Sequence, residues 1–260
     1  MLAVATKAAG WEWHAQGKHP ALADFITLGR QCPVSRGLAV WIARSFSRVG
    51  SGAVSVGVAG EAGGNGGNGG NGCWQFWIAG ASPDALICGC LAASTDSLGR
   101  PYPLLLLGRG SLPGWRERWS ELPPALCSTW AAMATIARSG FGSIRELKQA
   151  VAAVPAPVVP REPDEARAVS QDGRLRFREC QVSDAKAIEG EIAGCLPKDE
   201  ARQSALWLAQ HAGRHAAPTA VFLGRCGQST LLWLYARPLG PEDFLAMWSR
   251  QAMRGSHGTP

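Results

Sequence analysis

The chain has 260 residues, 46% of them hydrophobic and 18% charged, with 11 Trp. That composition supplies a sizeable core and excludes a wholly disordered polymer. The net charge of +6 is spread thinly, with 13 Lys and Arg against 8 Asp and Glu in residues 1–150 and 13 against 12 in residues 151–260. No tight basic cluster interleaved with aromatics results, which argues against a nucleic-acid partner.

No run approaches the ~18 apolar residues of a spanning helix, so direct membrane insertion is not expected. The opening MLAVATKAAGWEW lacks the apolar stretch and small-residue cleavage site of a secretory leader. On that reading the eight Cys are reduced thiols of a cytoplasmic protein.

In chain order, Leu38, Trp41, Ile42, Phe46 and Val49 recur at three- to four-residue spacing and predict a helix over 36–49, with Ser35 as cap and Gly50 past its end. Val54, Val56 and Val58 alternate as a short strand would. The Gly-Gly-Asn repeat of 60–72 cannot bury side chains and reads as a surface loop; it lacks the spacing of a phosphate-cradling motif. Three apolar runs, 73–79, 86–92 and 102–107, read as strands. The last two are so continuous that both faces should be covered. Helical patterns follow at about 115–121, 125–138 and 143–153, separated by Pro123-Pro124 and by Gly140 and Gly142.

Pro155, Pro157, Pro160 and Pro163 mark an extended connector. The expected division is an N-terminal α/β region over 1–154, a connector over 155–168, and a C-terminal α/β region over 169–260 packed on the first sheet. In that last region strands are expected at 174–180, 219–224 and 230–235. Helices are expected near 184–195 and 200–211 and, opened by Pro241-Glu242-Asp243, at 241–251. Alternating strands and helices place the chain in the α/β class.

Two polar segments are candidates for function: Gly17-Lys18-His19-Pro20 with Asp24-Phe25-Ile26, and the loop from Ser94 to Pro103. Asp96 and Arg100 are spaced to pair across a turn, with Gly99 supplying positive φ. Lys18, Asp24, Asp96 and Arg100 are either loop-ordering ion pairs and caps or a polar docking or ligand surface. His211 and His215 stand four apart, but residue 212 is Ala rather than Glu and Gly213 weakens a helix, so a metal site is not expected. Cys88-Gly89-Cys90 lacks a second Cys pair and reads as buried thiols. Gly-x-Ser-x-Gly is absent, and no catalytic set emerges.

These residues carry a family resemblance. Gly17-Lys18-His19-Pro20, Asp24-Phe25-Ile26 and a helix with Trp41 resemble the opening of the TagF (ImpM) family of type VI secretion system-associated proteins. Cys73-Trp74-Gln75-Phe76-Trp77-Ile78 is similar to that family's aromatic strand. The segment Ser94-Thr95-Asp96-Ser97-Leu98-Gly99-Arg100-Pro101-Tyr102-Pro103 resembles its most specific signature, and Ser204-Ala205-Leu206-Trp207, Phe222 and Leu239-Gly240-Pro241 resemble its C-terminal part. The chain departs from the family pattern at Ala23, at Ile42 and in the insertion at 60–72.

The resemblance implies a three-layer α-β-α sandwich around a mixed, largely antiparallel sheet. It implies a cytoplasmic, non-enzymatic role without cofactor or metal: post-translational restraint of apparatus assembly through binding of the forkhead-associated-domain protein Fha. The expected face carries the 94–101 loop and the 17–26 segment, with Lys18, Asp24, Asp96, Gly99 and Arg100 as partner-binding or loop-ordering residues. Two other readings stay open: a ligand receptor or enzyme using Lys18, Asp24, Asp96 and Arg100, and a structural scaffold subunit.

Overall fold

The computed structural model describes residues 10–49, 73–158, 175–176, 187–193, 204, 208–209, 216–226 and 229–255. Its strands are β1 (Glu12–Gly17), β2 (Ile26–Leu28), β3 (Cys73–Ala79), β4 (Ala85–Ala92), β5 (Leu104–Ser111), β6 (Leu175–Arg176), β7 (Ala187–Ala193), β8 (Ala220–Cys226) and β9 (Ser229–Tyr235). They join one sheet in the order β2-β1-β5-β4-β3-β8-β9-β7-β6. Every described pair is antiparallel, so the expected parallel admixture is not found among the described residues. The C-terminal strands extend the sheet edge to edge, β8 lying beside β3.

Helices cover both faces. On one side α2 (Leu122–Arg138) and α3 (Ile144–Ala152) bring Leu126, Trp130 and Leu147 against Trp77, Leu86 and Leu106. On the other, α1 (Pro33–Phe46) and α4 (Pro241–Gly255) bring Trp41, Ile42 and Phe244 against Phe76, Leu105 and Phe222. This is the three-layer α-β-α sandwich. It explains the unbroken apolar runs of β4 and β5, because Leu104 and Leu106 face one helical layer while Leu105 and Leu107 face the other.

Glycine windows let large rings lie flat on the sheet. Trp13 stands opposite Gly108 in the β1–β5 register, and a Cβ on Gly108 would meet its ring. Gly224 does the same for Trp74. The aromatic ring covers backbone that glycine leaves bare.

Several expectations are corrected. Residues 187–193 form a strand rather than a helix: Ile188, Gly190 and Ile192 alternate with Glu189 and Glu191, and pairing with β9 outweighs the helix propensity of Ala and Glu. Residues 115–121 are turns ending in one 3₁₀ turn at Trp119–Glu121. The α1 cap is Cys32, whose side chain accepts from the Ser35 N–H, while Ser35 returns a bond to the Cys32 N–H from the third position. Cys73 and Cys90 are joined as a disulfide, against the expectation of reduced thiols. Register places them diagonally on β3 and β4 with Cα atoms 6.2 Å apart, a proximity that sequence spacing does not reveal. Cys88 remains a buried thiol whose pKa burial pushes up. The predicted strand at 54–58, the loop at 60–72, the His211/His215 pair, and most of the 155–168 connector and of the 200–211 helix lie outside the described residues.

Candidate functional site

The candidate site forms where the segment leaving β1 meets the loop between β4 and β5. Gly17 ends β1 with φ +125° and sends Lys18 across the start of β5. The β4–β5 loop folds back on itself. Thr95 and Pro101 form an isolated bridge, Asp96 N–H donates to the Arg100 carbonyl at 3.1 Å, and Gly99 N–H donates to the Asp96 carbonyl at 3.0 Å. Gly99 takes the left-handed φ of +76° that closes this turn.

Asp96 is the keystone. Its side chain is fully buried and its oxygens are saturated. Oδ1 accepts the backbone N–H groups of Leu98 at 3.0 Å and Arg100 at 2.9 Å. Oδ2 accepts the Lys18 ammonium at 2.9 Å and Arg100 Nε at 2.7 Å. Burial opposes ionisation of this carboxyl. Lys18, then the Arg100 backbone and guanidinium and the Leu98 N–H, outweigh burial and hold it well below the usual carboxylate range.

The loop is also fastened to the 17–26 segment. Arg100 Nη2 donates to the Ala23 carbonyl, and Ser97 N–H donates to the Leu22 carbonyl at 2.8 Å. The Lys18 ammonium stands 5.2 Å from the centre of the Phe25 ring. Lys18, Asp96, Gly99 and Arg100 therefore come together; the pairing of Asp96 with Arg100 across the turn is the part expected from the spacing. Asp24 does not join them: it is exposed, and its Oδ1 accepts the N–H of Phe25 at 2.7 Å. The cluster spends its polar capacity on itself, which makes it a latch that holds a loop rather than an open ligand site. Leu98, at the tip of that loop, is 67% exposed.

Two further anchors have signals too weak or too distant to read in the sequence. His19 is fully buried; its Nε2–H donates to the Ile136 carbonyl at 3.1 Å and Nδ1 accepts the Ala21 N–H at 3.1 Å, pinning the segment to the end of α2. Burial lowers its pKa below the usual 6.5, and it lowers that of His14 as well. His19 is expected to titrate below 6.5, with the neutral ring carrying its proton on Nε2, as read by ¹⁵N NMR of the ring nitrogens while pH is lowered. A titration midpoint at or above 6.5 would contradict this geometry. Because the folded pKa is the lower one, the stabilisation is whole above about pH 6.5 and falls as pH drops below it.

The second anchor is a bidentate pair, Arg237 to Asp243, both contacts at 2.7 Å, with the Gly240 N–H also on Asp243. The Asp243 pair raises the Arg237 pKa further. Trp41 Nε1–H donates to the Gly240 carbonyl at 2.7 Å and so ties α1 to the same turn. Asp243 was legible only as an acid at a helix start; its partner six residues back was not.

Two shallow clefts flank α1. One, of about 270 Å³, lies between α1 and the β1–β5 end, lined by Gln16, Phe25, Val40, Ala43, Tyr102 and Pro103 among others. The other, of about 290 Å³, lies beside Arg237 and Leu239. Neither is lined by Lys18, Asp24, Asp96 or Arg100. Among the described residues, no group of three or more His, Cys, Asp or Glu is placed to hold a metal ion, and no helix is long and apolar enough to cross a membrane.

Fold and site together define a three-layer α/β protein whose conspicuous polar feature is a self-satisfied loop latch beside an apolar cleft. The same fold is found in PA0076 from Pseudomonas aeruginosa PAO1, known from a crystal structure. The two align over 95% of this chain and 96% of that one, with a TM-score of 0.50 and 18% identity. No protein-family model matches the chain, and no curated protein matches it.

Proposed function

We propose that this chain is a non-enzymatic, cytoplasmic accessory protein of the type VI secretion system that restrains apparatus assembly by binding the forkhead-associated-domain protein Fha. The observation that supports the reading most is the Ser94–Pro103 loop. The stretch that most resembles the TagF signature is the stretch that Asp96 and Lys18 lock in place, and it holds Leu98 out to solvent. A rigid loop on a rigid sheet is a recognition surface with little ordering cost on binding. The agreement in fold with PA0076 over nearly the whole chain supports the layered architecture that the resemblance implied.

Calorimetric titration of the full chain against Fha, phosphorylated and unphosphorylated, tests this. Stoichiometric binding at micromolar affinity or tighter is expected, weakened at least tenfold by Leu98→Glu with Asp24→Lys, two positions whose exposed side chains make no polar contact with Asp96, the Leu98 N–H that Asp96 accepts being kept. No binding in either state would sink the reading. Unchanged affinity in the double variant would remove this face from it.

A further inference from the structure

The cleft beside the latch has a recognition chemistry of its own. Its mouth exposes apolar surface that a folded chain usually covers: Phe25 is 56% exposed and Val40 49%. Its floor is firm, because Tyr102 is held edge-on by Phe25 at 4.7 Å and by Phe46 at 5.2 Å between ring centres. At about 270 Å³ it falls below the ~300–1,000 Å³ of pockets that engulf a drug-sized ligand, and it suits a single side chain.

The rim is basic. On α1, Arg36 and Arg44 stand one turn before and one turn after Val40, on the same exposed stripe, and the helix contains no Asp or Glu. Among the described residues neither arginine makes an ion pair. Asp24, next to Phe25 in the chain, does not line the cleft and accepts the Phe25 N–H.

We infer that this cleft docks a short acidic segment of a protein partner, seating one aromatic or branched aliphatic side chain between Phe25 and Val40 while flanking carboxylates meet Arg36 and Arg44. Apolar anchoring supplies affinity, and the basic rim supplies orientation and on-rate. The inference rests on the proposed binding role only in taking the occupant to be a protein; it does not require that protein to be Fha.

Selection of the immobilised full chain against a random dodecapeptide phage library tests it. Enriched peptides are expected to carry Asp or Glu around one Leu, Phe or Trp and to bind with micromolar affinity by fluorescence anisotropy. Val40→Lys, and separately Arg36→Glu with Arg44→Glu, should each weaken binding at least tenfold; all three positions are exposed, and unchanged melting temperatures confirm the fold. Raising salt should weaken the wild-type complex. No enrichment, enrichment without acidic bias, or affinities indifferent to these variants overturns the inference. So does a single-stranded oligothymidine that binds with the same affinity and the same sensitivity to the variants. Running the Fha titration in parallel separates the two ideas. Peptide failure with Fha still bound removes the cleft alone, and acidic peptides bound without Fha remove only the proposed partner.

Discussion

Gly17→Ala is expected to destabilise the chain by about 3–5 kcal/mol, the range reached only when a substitution breaks a special backbone site or a buried network. Gly17 sits at φ +125°, where an L side chain is already strained, and a Cβ there would lie 2.1 Å from the Pro103 carbonyl oxygen and 3.1 Å from Leu104 Cα. Both obstacles are backbone. They cannot retreat without breaking the pairing of Gly17 with Leu104 at the start of β5. Gly99→Ala is the control: its φ of +76° is also left-handed, yet nothing stands within 4 Å of the added methyl. It should lose only the left-handed penalty of about 1–2 kcal/mol. Urea unfolding followed by tryptophan fluorescence reads both. Equal losses would show that the close approach of β1 to Pro103 is not what Gly17 serves.

The contrast between those two glycines also marks what a sequence can disclose. Gly99 belongs to a turn whose partners lie within four residues, so Asp96, Gly99 and Arg100 are legible as one unit. Gly17 is needed because of Pro103, 86 positions away along the chain, and Lys18 reaches Asp96 over a similar distance; only the β1–β5 register brings them together. The strand EWHAQG was not anticipated at all. Its Trp13 lies over Gly108 and its buried His14 interrupts the apolar alternation, so no period-two pattern announces it. Strand β2, three residues long, is too short to show a period. The helices α1, α2, α3 and α4 were anticipated because an amphipathic helix carries its own period over nine or more residues. Residues 187–193 had helical composition but strand alternation, and their pairing with β9 decided between the two. Asp24 looked like a member of the site because it is close in sequence to Lys18, yet adjacency on a loop does not fix where a carboxylate points.

Asp96→Asn is expected to lower the melting temperature by about 5–10 °C near neutral pH, a shift of two to three times the 2–4 °C that a unit change in stability brings to a chain of this size. The amide can still accept from the Leu98 and Arg100 N–H groups, but it leaves the Lys18 ammonium, only 10% exposed, without a counter-ion. An unpaired buried charge costs more than the absent pair, so Lys18→Met with Asp96→Asn should recover part of the loss. The pH dependence has a definite sign. The folded carboxyl titrates below its unfolded value of about 3.9, so its contribution is whole above about pH 5 and is lost as pH falls toward the lowered folded value. The gap between wild type and Asp96→Asn should therefore narrow below about pH 4, and a gap that stays constant from pH 7 to pH 3 would show that charge at Asp96 is not what locks the loop. Faster hydrogen exchange at the Leu98 and Arg100 amides in Asp96→Asn would place the loosening in the loop itself. If Fha reads that loop, its affinity should fall in step, because a mobile Leu98 must be ordered again on binding.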